Sequence, residues 1–289
     1  MARSGDAPEG PRKSARHSAP GTVRAVFFDF DDTLFDHTRS LVDGIRALRA
    51  SEPRVSARPL GQVVRRYERL LDAIQPGKPG GPRTHPEARA ARFRLLDAWL
   101  GGPGDPETAE AWSATYRAAY QAARRPVRGA VPLLRGLHGR VCVGVVTNNH
   151  TAEQIEKIQA LHLERWIDFM VTSEDVGVQK PHPAIFRAAL KKSGVPAAET
   201  TMVGDSWASD VLGATGAGLR AVWLRRRGRR PPGLPDVRVL RSFTPVRASR
   251  RVLLTAVPGA RPVGGRRGPA EPYKNVKRHE ALSSHGHPR

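Results

Sequence analysis

Three aspartates, Asp29, Asp31 and Asp32, stand within four positions at the end of an apolar run, in the segment AVFFDFDDTLFD (residues 25–36). Buried strands seldom end in clustered carboxylates, because like charges brought together in a low-dielectric setting repel. Other apolar runs end in chemistry-bearing residues too. Thr147-Asn148 closes VCVGVVTN, Lys180-Pro181 precedes a helical pattern, and Gly204-Asp205-Ser206 follows an apolar run with Asp210 five residues past Asp205. Carboxylates converging on one edge stay ionised when a divalent cation holds them. An all-oxygen set selects magnesium over zinc, and no His/Cys cluster competes. Such an ion together with Lys180 would gather the negative charge of a phosphate, with Thr147 and the Asn148 amide donating to its oxygens.

The runs that carry these residues have strand length and are continuously apolar, as strands covered on both faces are. They are VRAVFFDF (23–30), VCVGVVTN (141–148), FMVTSED (169–175), TTMVGD (200–205) and LRAVWL (219–224). Helical spacing separates the last four, with Ile155, Ile158 and Leu161 on one stripe and Ile185, Phe186, Ala189 and Leu190 on another. Strands alternating with helices make an α/β, open parallel sheet, in which ligands sit at the carboxyl ends of the strands. Between Phe35 and Val141 no strand is legible. Leu60, Val63, Val64, Tyr67, Leu71 and Ile74 mark one amphipathic helix, and Trp112, Tyr116, Ala119, Tyr120 and Ala123 another. The connectors QPGKPGGPRTHPE (75–87) and GGPGDPE (101–107) are rich in Gly and Pro. This is a helical module inserted after the first strand.

FFDFDDTLF, VVTNN, VQKPHPAIF and MVGDSWASDVLGATGAG resemble, in order, the four motifs of the haloacid dehalogenase-like (HAD) superfamily. The resemblance spans about residues 23 to 225. It implies a doubly wound, Rossmann-like core at 23–35 and 128–245 and an α-helical C1 cap at 36–127. It also implies a magnesium-dependent phosphomonoester hydrolase acting on a small phosphorylated metabolite, a sugar phosphate or a nucleotide. Asp29 would be the nucleophile and Asp31 the acid and base. Magnesium would be held by Asp29, the main-chain carbonyl of Asp31, and Asp205, with Asp210 acting through water or by orienting Lys180. Thr147, Asn148 and Lys180 would meet the phosphate. Dehalogenases of this fold lack the acid at the position of Asp31, and the related ion-pumping ATPases carry Thr there, so Asp31 fits a phosphatase or, alternatively, a phosphomutase.

The formal charge of +21 sits mostly at one end. From Arg225 to Arg289 there are 17 Lys and Arg against three acids. A basic tail can hold nucleic-acid backbones, but the only aromatics after Trp223 are Phe243 and Tyr273, too few for a base-stacking surface. Nucleic acid binding is therefore kept as the reading from a different class. Residues 246–289 are expected to be a solvated tail, and residues 1–22 a disordered leader. The lone Cys142 excludes an internal disulfide, and the first residues lack the apolar middle of a signal peptide, so the expected compartment is the cytoplasm, with no membrane association. Cys142 is expected in the core, Asp32 as a turn cap, His150 at a solvated helix entry, and Trp112, Tyr116 and Tyr120 inside the helical module. His37 is left open between substrate contact and loop. GATGAG (213–218) lies at a helix end before a strand, the reverse of a dinucleotide loop.

Overall fold

The computed structural model describes residues 22–75, 84–226 and 237–255. β1 (Ala25–Phe28) is fully buried and alternates its side chains between two cores. Val26 and Phe28 face one side, Ala25 and Phe27 the other, which is why the run reads as continuously apolar. The chain then leaves for the module: α1 (His37–Ser51), α2 (Pro53–Ser56), α3 (Leu60–Ala73), α4 (His85–Trp99) and α5 (Pro106–Ala122). It returns through an antiparallel bridge between Phe35 and Pro126 into α6 (Ala130–Leu137).

The remaining elements build the sheet and its flanks. They are β2 (Cys142–Thr147), α7 (Thr151–Ala160), β3 (Phe169–Thr172), α8 (Ser173–Val176), α9 (Pro183–Ser193), β4 (Thr200–Gly204), a π-helical turn (Trp207–Leu212), α10 (Gly213–Gly216), β5 (Arg220–Leu224), β6 (Arg238–Leu240) and α11 (Val246–Leu254). The six strands are parallel in the order β3-β2-β1-β4-β5-β6. α6, α7 and α11 supply apolar residues to the Val26/Phe28 side, and α9 and α10 to the Ala25/Phe27 side, so the sheet is doubly wound. Its switch point lies at β1, with β2 and β4 on either hand, where the carboxyl ends form a crevice.

The module has its own core. Tyr67 stacks on Phe93 at 5.0 Å between ring centroids, and Tyr116 closes on Tyr67 at 4.9 Å and on Phe93 at 5.4 Å. Trp112, Tyr116 and Tyr120 are buried. Gly44 lets α1 lie against α5, since a Cβ there would stand 2.6 Å from the Tyr116 ring. Thr84 and Glu87 form a reciprocal cap at the start of α4, and Asp105 caps α5.

Four expectations need correction. The core does not stop at 245: α11 buries Leu253 and Ser249 and packs on α6, while Phe243 meets Phe28 edge to face at 6.3 Å. The sheet gains a sixth strand, β6, whose three residues are too few to show a pattern. Residues 173–175 do not extend β3 but turn into α8, because the Thr172 hydroxyl accepts from the Asp175 amide. Cys142 opens β2 half-buried rather than in mid-core. Residues 1–21 and 256–289 of the expected leader and tail lie outside the described residues. Among the described residues no helix is long and apolar enough to cross a membrane.

Candidate active site

The parallel register carries the acids to one edge. Phe28 pairs with Val203 on one side and Val145 on the other. The Asp29 amide continues the ladder by donating to the Val203 carbonyl at 2.8 Å. Asp29 therefore stands beside the end of β4, next to Asp205. Past Phe30 the chain turns tightly: Leu34 and Phe35 donate to the Phe30 carbonyl, and Asp32 takes a left-handed φ of 61°. Aspartate tolerates that region better than most residues. The Asp32 carboxylate accepts from the Thr38 amide and hydroxyl at 2.9 and 2.7 Å, a turn-capping role that also anchors α1.

Lys180 organises the acids. It is almost wholly buried, and its ammonium donates to Asp29 Oδ1, Asp210 Oδ1 and the Val146 carbonyl, each at 2.7 Å. The segment before α9 that carries it is pinned by Asn148, whose Oδ1 accepts from the Lys180 amide at 2.7 Å and whose Nδ2 donates to the Lys180 carbonyl at 2.9 Å. Asp210 is presented by the π-helical turn, its Oδ2 accepting from the Ser206 amide at 2.9 Å. Gly204 makes room for it, because a Cβ there would run into the Asp210 carboxyl. The Asn148 side chain is held by the Lys180 main chain through its oxygen and one of its two N–H groups. All three ammonium protons of Lys180 are used as well, so toward a phosphate it acts by its charge.

Oxygens of Asp29, Asp205 and Asp210 lie within 4.8 Å of one another. Burial raises Asp29 to about 7, with Lys180 opposing and Asp210 reinforcing the rise. Burial, then Asp29 and Asp210, raise Asp205 to about 8. For Lys180 burial works against the charge, but Asp210 and Asp29 overcome it and the net shift is upward. One lysine thus pairs with two of the three acids. Both Asp210 oxygens are engaged, as is Asp29 Oδ1, so Asp29 Oδ2 and the Asp205 carboxylate remain the open donors among the described residues. An under-neutralised, all-oxygen set of this kind fits a hard divalent cation. The Asp31 carboxylate is not in the set.

Asp31 turns the other way, toward α7. Lys157 Nζ lies 3.0 Å from its Oδ1 and Gln154 Nε2 donates to its Oδ2 at 3.0 Å. The turn at Phe30 gives the Asp29 and Asp31 carboxylates separate partners. Burial favours the protonated form of Asp31, but Lys157 and then His37 outweigh it and hold the group below the usual carboxylate range. Gln154 also donates to the Thr147 hydroxyl oxygen at 2.7 Å, which leaves the Thr147 proton free for a ligand oxygen. His37 meets the Tyr120 hydroxyl at 2.8 Å beneath the module, and His150 pairs with Glu174 at 2.8 Å and lies edge-on to His85 of α4. Sequence reading missed Gln154 and Lys157. Their signal was two polar residues three apart, each directly before a stripe residue, Ile155 and Ile158.

A family model for haloacid dehalogenase-like hydrolases matches residues 23–218. Glyceraldehyde 3-phosphate phosphatase of Pyrococcus abyssi is 32% identical over 206 residues, covering 70% of this chain and 82% of that protein. Pyrimidine 5′-nucleotidase YjjG of Escherichia coli is 40% identical over 108 residues, 37% of this chain and 48% of that one. The crystal structure of the HAD hydrolase YfnB of Bacillus subtilis, bound to magnesium, superposes with a TM-score of 0.60 at 23% identity, covering 78% of this chain and 97% of that one, a likeness of fold. The chain belongs to the haloacid dehalogenase-like hydrolases. Within them it is a phosphatase, a phosphoric monoester hydrolase.

Proposed function

We propose that the enzyme hydrolyses the phosphomonoester of a small metabolite through an aspartyl-phosphate on Asp29, with magnesium as cofactor. The observation that carries this reading is the trio Asp29, Asp205 and Asp210, two of whose members pair with a single buried Lys180. Asp29 and Asp205 would hold the metal with the Asp31 carbonyl, while Asp210 keeps Lys180 in place. When bound, magnesium supplies positive charge that offsets the phosphate oxygens and the crowded acids.

A carboxylate oxygen of Asp29, which Lys180 holds in place, attacks phosphorus, and the bond from phosphorus to the ester oxygen breaks. Asp31 gives its proton to that departing oxygen. The resting Asp31 is ionised; it takes up this proton from solvent as a phosphate dianion arrives beside it and raises its proton affinity. The Asp31 carboxylate then takes a proton from water as the water oxygen attacks phosphorus. The acyl phosphate bond breaks, Asp29 is restored and inorganic phosphate leaves. Two displacements replace one harder displacement, and the Lys180 charge together with the Thr147 hydroxyl favours the charge on the phosphoryl oxygens.

Helices α1 to α5 would form the cap, whose His85 reaches Glu153 and His150 near the carboxyl ends of the strands, and the named activities of the relatives support a sugar phosphate or nucleotide as substrate. Nothing favours the mutase alternative. Part of the basic excess is engaged internally: Arg226 reaches Asp32 and Asp36, and Arg238 donates to the Val252 and Thr255 carbonyls, which weakens the nucleic-acid reading for that stretch. The test is Asp29→Asn, expected to abolish turnover of p-nitrophenyl phosphate while the chain stays folded. Retained turnover would refute the nucleophile.

A further inference from the structure

α7 presents two polar faces to two parts of the molecule. Glu153 and Glu156 face the cap: His85 Nδ1 lies 3.0 Å from Glu153 Oε2, and Arg124 and Gln121 of the α5 end reach Glu156 Oε1 at 3.1 and 2.9 Å. Gln154 and Lys157 face the catalytic loop. Lys157 is 1% exposed, and its ammonium lies 3.0 Å from Asp31 Oδ1, 3.3 Å from Asp31 Oδ2 and 3.0 Å from Glu153 Oε1, with its charge 5.4 Å from the centre of the Phe35 ring. A buried lysine needs one carboxylate for neutrality, and Glu153, one turn earlier on the same helix, already supplies it in the favourable order. The second carboxylate, at 126 residues' separation, is that of Asp31, proposed above as the acid of the reaction.

We propose that Lys157, fixed by Glu153, is a positioning residue that holds the Asp31 carboxyl at the leaving-group side of the site. This rests on the reading of Asp31 as the group that protonates the departing oxygen. Lys157 touches no reacting atom. It fixes the direction of the carboxyl, with Gln154 tying the same carboxyl to the Thr147 hydroxyl, so acid and phosphate donor are set by one rigid helix. A misdirected carboxyl penalises leaving oxygens in proportion to their need for a proton. A purely structural role would lower turnover of all esters alike.

The experiment compares p-nitrophenyl phosphate with phenyl phosphate, esters of similar size whose leaving oxygens differ greatly in basicity. Lys157→Met is expected to lower kcat/KM for phenyl phosphate by ~10²-fold, within the range of general acid catalysis, and for p-nitrophenyl phosphate by only a few-fold. Lys157→Arg is expected to restore most of the phenyl phosphate loss. Glu153→Gln keeps Lys157 in place but loosens it, and serves if Lys157→Met fails to fold; it should show the same bias, smaller. Thermal unfolding of each variant checks the fold. Equal losses on both esters, no loss, or a gain in turnover would overturn the proposal. Asp31→Asn separates it from the reading beneath: if that variant shows the bias and the Lys157 and Glu153 variants do not, only the role of Lys157 falls. If Asp31→Asn shows no bias, the acid assignment itself is wrong.

Discussion

Lys180 Nζ stands 2.7 Å from Asp29 Oδ1 and 2.7 Å from Asp210 Oδ1, so one buried ammonium joins the end of β1 to the turn after β4. Removing it leaves two buried carboxylates facing each other. Lys180→Met is expected to destabilise the chain by ~3–5 kcal/mol, the usual consequence of breaking a buried pair. It should also lower kcat on the order of 10²–10³-fold through lost charge stabilisation. Urea unfolding and turnover of p-nitrophenyl phosphate measure the two. Lys180→Arg should not rescue, because a planar guanidinium cannot fit three acceptors arranged around one nitrogen. An Arg variant with near-normal turnover would contradict this geometry.

Gly204 closes β4 directly beneath the Asp210 carboxyl, where an added Cβ has no room. Neither neighbour can give way cheaply, since Asp210 is tied to Lys180 and to the Ser206 amide. Gly204→Ala should therefore displace Asp210 and, with it, Lys180. The expected result is ~1–3 kcal/mol of lost stability from overpacking. A loss on the order of 10²-fold in kcat should follow from a misplacement of about 1 Å. Unchanged kcat would mean the turn holds Asp210 less firmly than its bonds indicate.

The five long strands were legible because each is buried on both faces, and burial leaves an unbroken apolar run. Asp29, Asp205, Thr147 and Lys180 were legible because they sit at the ends of such runs or just before a helix. The partners of Asp31 were not. Lys157 lies 126 residues away, and on α7 it reads as an ordinary surface lysine until the fold buries it. The hydrogen bonds of Asn148 were hidden as well, since its partners on the Lys180 main chain depend on where a separate loop comes to rest. α11 was hidden for a different reason. Its sequence VRASRRVLL carries three arginines that dominate composition, whereas its buried face rests mainly on Leu253 and Ser249.

That helix gives a direct test of the corrected boundary. Leu253 is fully buried against the core that Phe28 and Phe243 share. Leu253→Ala should cost ~2–5 kcal/mol, as other buried leucine truncations do. By contrast, Glu156→Ala, at a half-exposed ion pair between α7 and the cap, should cost under about 1 kcal/mol. Chemical unfolding of both variants decides it: a neutral Leu253→Ala would return residues 246–254 to a solvated tail.

The acids also set a pH dependence that a metal should reverse. Burial raises Asp29 to about 7 and Asp205 to about 8 from an ordinary aspartate value of 3.8. Between those values the folded chain without a cation keeps protons that the unfolded chain has released, so folding takes up protons. The stability these groups contribute is complete below the unfolded value and is lost as pH rises through about 7 and 8. Asp31 and Glu153, both held below their usual range, change stability only in acid and do not mask this window. A divalent cation favours the ionised carboxylates, so it should stabilise most where protons no longer do. Added magnesium should accordingly raise Tm more at about pH 8.5 than at about pH 6, with proton release on binding at the lower pH. Asp205→Asn should shrink that dependence and weaken the magnesium effect together. A magnesium-induced shift in Tm that is the same at both pH values would show that the ion is not bound by these carboxylates.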